Sequence, residues 1–371
     1  METSKVKEIH NFDQSIWLDF IDRDIISSGK LQKLIDEDGV RGVTSNPAIF
    51  EKAISSSADY DADIARISAE QTESGNAADY EDVFYQLAIS DIQKAADLFK
   101  PIYNDEEVKG ADGYVSLEVS PRLALDTQGT IDQALDLWKK VDRDNVMIKI
   151  PGTAAGLPAI RQAISEGLNI NVTLLFGLDR YREVAEAYIS GLEDRLNDGF
   201  EIDEIASVAS FFLSRIDVMI DPILDEKGLG DLKGEVAIAS AKKAYEIYLD
   251  VFGTERWKAL EAHGAKPQRL LWASTSSKNP AFKSTKYVDA LIGPNTVDTI
   301  PMETLEAYRT DGEPANRLSD DLEGATKILD RVKEAGIDID EITQKLEDEG
   351  VEKFIAPYDK LLKAIEDQVK K

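Results

Sequence analysis

Short apolar segments ending in polar residues recur along this chain, each followed by a longer stretch with the spacing of an amphipathic helix. Roughly eight such units fit within the 371 residues, and several of the apolar segments are continuous rather than alternating. These observations predict an α/β fold, a (β/α)8 TIM barrel with additional helices. Continuous apolar strands suit a parallel sheet covered by helices on one side and filled by side-chain layers on the other. Eight units favour closure over an open sheet. The length suits one domain over residues 1–371, with a barrel core at about 12–310 and a packed C-terminal helical extension at about 311–371.

Taken in order, Ser15–Phe20 (SIWLDF) reads as the first strand and a helix is expected around Ser28–Glu37. Gly42–Pro47 (GVTSNP) reads as a strand end turning into a helix, because Pro47 pushes Asn46 out of the helical region. Residues 76–100 carry Ala78, Val83, Leu87, Ile89, Ala95 and Leu98 among charges, the pattern of an amphipathic helix. Gly113–Val119 is the next strand, Thr130–Lys140 its helix and Asn145–Ile150 the strand after it. Pro151-Gly152-Thr153 turns the chain into a helix through Ser165. Strand Ile170–Leu175, helix Asp179–Asn197 and strand Ile205–Phe212 follow, then the apolar run Arg269–Ala273. Val288–Ile292 is expected to be the last strand. In the extension, Asp320-Asp-Leu-Glu323 has capping-box spacing before Ala325–Val332, and Ile342, Leu346, Val351, Phe354, Leu361, Leu362 and Ile365 mark packing faces.

Composition excludes several kinds of chemistry. Against 43 basic residues stand 71 acidic ones, a formal charge of -28 that repels nucleic acid and anionic membrane surfaces. With no cysteine there is no disulfide, thiolate nucleophile, or cysteine-held zinc or iron–sulfur centre. Two histidines cannot make a three-histidine metal site; His10 is expected in a mobile leader and His263 in a connecting loop, both non-catalytic. Neither Gly42 nor Gly152 completes a nucleotide-binding fingerprint. No cofactor or metal is expected. The N-terminus lacks a secretory core and no apolar run is long enough to span a bilayer, so the expectation is a cytoplasmic protein, monomer or homodimer, without nucleic-acid or membrane partners.

Polar residues sit near the carboxyl ends of the strands: Asp19, Thr44, Glu118, Lys149, Asn171, Thr173 and Ser210. In a barrel these ends converge on one rim, where active sites lie. Lys149, between apolar neighbours in Val-Met-Ile-Lys-Ile, has two readings. It is an edge or carboxylate-paired strand lysine, or a desolvated amine able to form a Schiff base with a carbonyl. Asp19 fits a helix cap or a surface ion pair as well as an acid–base role. Glu118 fits a strand-edge charge, and Thr173 a barrel hydrogen bond. Asn46 either caps the helix after Pro47 or orients a substrate hydroxyl, and Asn171 either closes a buried network or binds substrate.

Five segments together resemble the transaldolase family across most of the chain: Trp17-Leu-Asp-Phe20, Gly42–Pro47, Ser116-Leu-Glu-Val119, Val146–Pro151 and Asn171–Phe176. Gly293–Pro301 (GPNTVDTIP) resembles the longer bacterial form. The resemblance implies that Lys149 is the Schiff-base lysine of the fourth strand. It also implies that Asp19 and Glu118 are the acid–base carboxylates and that Thr173 holds the catalytic water. Thr44, Asn46, Asn171 and Ser210 are then substrate-binding residues, and Arg215 binds phosphate with the forked donors suited to it. Serines stand where the short form has its second arginine, so Ser274 and Lys278 share the clamp in this reading. The implied partners are phosphorylated ketose and aldose substrates, with dihydroxyacetone moved from sedoheptulose 7-phosphate to glyceraldehyde 3-phosphate. A class I sugar-phosphate aldolase and an inactive sugar-phosphate-binding scaffold are the alternatives.

Overall fold

Eight parallel strands close in sequence order, the last pairing with the first, in a computed structural model that describes residues 4–73, 78–108 and 110–370. They are β1 (Gln14–Leu18), β2 (Gly42–Val43), β3 (Tyr114–Glu118), β4 (Val146–Pro151), β5 (Ile170–Leu175), β6 (Ser207–Phe212), β7 (Arg269–Ala273) and β8 (Thr296–Ile300). Helices separate them, and one large apolar core fills the space between strands and helices. A second, smaller cluster containing Trp17, Tyr114, Met147, Val208, Leu271 and Val297 fills the barrel itself. Trp17 explains Gly42: a Cβ there would lie 2.6 Å from the indole ring, so only glycine lets β2 pass it.

The last strand is not Val288–Ile292. That segment begins in the short helix Lys286–Ala290, and its buried Tyr287, Val288, Leu291 and Ile292 repeat at helical rather than strand spacing. The strand is Thr-Val-Asp-Thr-Ile, whose three polar side chains, all buried, disguise it. Nor is the leader loose: Lys5–Glu8 is helical, Ile9–Phe12 forms a 3-10 turn, and Val6 and Ile9 are fully buried. His10 packs there against Gly39, with burial and then Arg41 lowering its pKa to about 4. His263 is exposed in the connection before β7.

The helix expected around Ser28–Glu37 starts earlier and is broken, into Arg23–Ser27, Lys30–Lys33 and a π-helical turn at Leu34–Asp38. The helix expected from residue 76 runs over Tyr80–Tyr103, and residues 76 and 77 lie outside the described residues. In the extension, the cap of helix Leu322–Glu334 is Asp321 rather than Asp320, its carboxylate accepting from the Gly324 N–H.

The chain ends in a 31-residue helix, Ile339–Val369, that bridges two sides of the barrel. On one side Arg180 Nε donates to Glu347 (3.1 Å), and Gly350 allows close approach to Leu174 of β5. On the other, the Tyr358 hydroxyl donates to Glu81 (2.6 Å) and Asp359 pairs with Arg122. No helix among the described residues is long and apolar enough to cross a membrane.

Candidate active site

A cavity of about 290 Å3 is bounded by the carboxyl ends of β4 to β8 and the residues following β1 and β2. The register sets its centre. Glu118, the last residue of β3, lies beside Lys149 of β4, and Lys149 beside Asn171 of β5. Neighbours in parallel strands point their side chains the same way, so all three enter the barrel at one level. Lys149 is 6% exposed and reaches the cavity from a strand whose other residues are all apolar.

The lysine ammonium donates to the Ser45 carbonyl (2.6 Å) and lies 3.5 Å from Glu118 Oε2. Neither Glu118 oxygen has a hydrogen-bond partner among the described residues, and the buried Thr173 hydroxyl has none either. Burial raises the Glu118 pKa above the usual carboxylate range, Lys149 opposing and Asp19 reinforcing the shift. These groups keep open hydrogen-bonding capacity for a water or a substrate inside the barrel.

Asp19 does not cap the helix that follows it; Asp22 does, accepting from the Ile25 N–H. Instead Asp19 accepts from the Thr44 hydroxyl at 2.8 Å. Thr44 also lies 2.7 Å from the Thr299 hydroxyl; with its one proton on Asp19, Thr299 donates to it. Burial lifts the Asp19 pKa, while Lys149 and Thr44 pull it down. A carboxylate held this way faces the cavity with one oxygen committed.

Asn46 caps helix Pro47–Ser56, its side chain accepting from the Ile49 N–H at 3.0 Å, and it also lines the cavity. Asn171 sits below the cavity wall, fully buried, donating to Ser116 (3.2 Å) and accepting from Ser210 (2.7 Å). It fixes Ser210, which does line the cavity. β5 carries a register irregularity beyond Val172, with Leu174 at φ 60, a strained value for a bulky side chain, beside Thr173.

Arg215 lies in the first turn of helix Ser214–Glu226, with its guanidinium over the rings of Phe212 (5.5 Å) and Phe354 (5.8 Å). No carboxylate pairs with it among the described residues, its buried Nη1 has no hydrogen-bond partner, and burial pulls its pKa down. Such a guanidinium retains its capacity for an anion. Ser274, at φ 56, shares a 2.8 Å hydrogen bond with Ser214, and Lys278 donates to Ser276 (2.6 Å). Both line the cavity.

The sequence reading missed Thr299, Ser276, Glu303, Lys353 and Phe354 on the cavity wall. Thr299 repeats the polar-strand-end signal and is found once β8 is placed correctly. Lys353 and Phe354 come from the terminal helix, and nothing local in that helix announces its docking on the rim.

A closed (β/α)8 barrel whose rim holds a buried lysine 3.5 Å from one carboxylate, with Asp19 and an open guanidinium on the same cavity, has the make-up of an enzyme site able to act on a carbonyl of an anionic substrate. The model of the transaldolase/fructose-6-phosphate aldolase family matches residues 16–365. The chain is 48% identical to a transaldolase of Trichodesmium erythraeum over all of its own length and 99% of that protein. It is 46% identical to transaldolase 2 of a Nostoc species over 100% of this chain and 99% of that one. It is also 46% identical to a transaldolase of Saccharopolyspora erythraea, over 99% and 98% of the two chains. The chain therefore belongs to the transaldolase/fructose-6-phosphate aldolase family.

Proposed function

We propose that this protein is a transaldolase, moving a dihydroxyacetone unit from sedoheptulose 7-phosphate to glyceraldehyde 3-phosphate and releasing erythrose 4-phosphate and fructose 6-phosphate. The observation that carries the reading is Lys149, buried beside a Glu118 carboxylate and a Thr173 hydroxyl that have no hydrogen-bond partners among the described residues. Glu118, through a water held by Thr173, takes a proton from the Lys149 ammonium, and the freed amine attacks the C2 carbonyl of the ketose. Glu118, through a water held by Thr173, protonates the carbinolamine hydroxyl, which leaves as water to give the imine. Asp19 takes the C4 hydroxyl proton; the C3–C4 bond breaks, its electron pair passes into the protonated imine, and the aldose phosphate departs. The resulting enamine attacks the acceptor aldehyde, Asp19 returns the proton to the new alkoxide, and water releases the product from Lys149.

Thr44, Asn46 and Ser210 hold the hydroxyls, Asn171 fixes Ser210, and Arg215 with Ser274 and Lys278 holds the phosphate. The enzyme acts in the cytoplasm as a monomer or homodimer. The test is product analysis after incubation with fructose 6-phosphate and erythrose 4-phosphate. Sedoheptulose 7-phosphate is expected. Mainly free dihydroxyacetone would make the protein an aldolase, and no product would make it a binding scaffold.

A further inference from the structure

The phosphate end of the cavity has a charge deficit. A sugar phosphate brings a charge of about −1.5 to −2 into a chain of formal charge -28, beside Asp19 and Glu303 on the same wall. Arg215 offers one positive charge. Lys278, bonded to Ser276, adds a second, and Lys149 is committed to the carbonyl, so two cations face the phosphate together with both carboxylates. The terminal helix supplies a further cation on this wall. Phe354, which packs under the Arg215 guanidinium, is preceded by Lys353, and both line the cavity.

Lys353 has a replaceable partner. Its ammonium bonds to Glu349 at 2.7 Å, one helical turn back, in a pair whose side chains are 55% and 34% exposed. Exposed pairs at this spacing are weakly held, whereas a phosphate offers three strong acceptors to an ammonium. Glu349 also lies 3.9 Å from Lys345, so it keeps a cation when Lys353 leaves.

We infer that Lys353 is a phosphate-binding residue of this site: on substrate binding its ammonium exchanges Glu349 for a phosphate oxygen opposite Arg215. The terminal helix is then part of the recognition surface. This rests on the sugar-phosphate reading above and adds a specificity determinant from outside the barrel.

The test is calorimetric titration of inorganic phosphate into the full-length protein and its Lys353→Met, Lys353→Arg and Glu349→Gln variants. It is paired with kcat/KM for fructose 6-phosphate and for fructose. Lys353→Met keeps the aliphatic stem and is expected to weaken phosphate binding about tenfold, which is about 1.4 kcal/mol. Lys353→Arg retains binding and Glu349→Gln tightens it. The preference for fructose 6-phosphate over fructose falls about tenfold in Lys353→Met, through KM. Phosphate affinity unchanged in Lys353→Met, or equal losses on both sugars, overturns the inference. Wild-type protein that binds phosphate through Lys353 but turns over neither sugar would instead sink the transaldolase reading and leave the phosphate site standing.

Discussion

Asp112 precedes β3 and Glu118 ends it, so one strand carries a buried carboxylate at each end of the barrel. At the amino end, Asp112 accepts from the Ser15 hydroxyl (2.5 Å), the Trp17 indole (3.0 Å) and Arg269 (2.9 Å), with Arg41 at 3.6 Å. Burial alone would raise its pKa; Arg269, Ser15 and Trp17 outweigh burial and hold it below the usual carboxylate range. At the carboxyl end, Glu118 is just as enclosed, meets only Lys149, at 3.5 Å, among the charged groups of the described residues, and is pushed the other way. A buried charge whose lone pairs are filled locks a structure together. One left open is ready to take up water or substrate, and the barrel separates these two uses by its length.

The comparison can be broken at either end. Lys149→Ala should lower turnover by on the order of 10⁴-fold or more, since it removes the nucleophile and its electron sink; steady-state assay of the folded variant reads it. Glu118→Gln should lower turnover about 10²- to 10⁴-fold while leaving the melting temperature equal or higher, because an under-satisfied buried charge is removed. Asp112→Ala should do the reverse. Leaving Arg269 with a broken buried pair costs about 3–5 kcal/mol of stability in denaturant unfolding, with kcat per folded molecule unchanged. A stable Asp112→Ala, or an unstable but active Glu118→Gln, would collapse the distinction.

Asp298 sharpens it with the smallest effect. It is fully buried on β8, neither oxygen has a hydrogen-bond partner among the described residues, and the neighbouring Thr275 hydroxyl donates to the Thr299 carbonyl (3.2 Å). Burial pushes its pKa up to about 8, with Thr275 opposing. The folded state therefore holds this proton above the ordinary value of 3.8, where the unfolded chain releases it. Its contribution to stability is full below about pH 4 and is lost as pH rises to about 8. Asp298→Asn does not titrate, so its advantage over wild type should grow across that window. It reaches about 1–3 kcal/mol near neutrality, reduced by the unsatisfied amide it leaves. Melting curves from pH 4 to 8 would show a constant gap if Asp298 were already ionised in the fold.

Most of the barrel was legible because its strands are short, apolar and followed by helices; β1 and β3 to β7 fall where the pattern puts them. β8 was not, since Thr296, Asp298 and Thr299 make a buried strand look like a loop, and the apolar residues of the preceding helix look like a strand. Of the site, Lys149, Glu118 and Asp19 stood out as polar side chains at apolar strand ends. Asn171 reads the same way from sequence, yet its amide lies beneath the wall, a depth that only the register with Lys149 and Ser210 reveals. Lys353 and Phe354 left no local signal: their helical spacing marks a packing face, and which surface that face meets is decided by contacts such as Arg180 with Glu347 and Tyr358 with Glu81.

The most direct measurement is borohydride reduction of the intact protein in the presence of fructose 6-phosphate, followed by peptide mass mapping. The account predicts a single three-carbon adduct on Lys149, absent in Lys149→Ala. An adduct on another lysine, or none in an enzyme that still turns over, would contradict it.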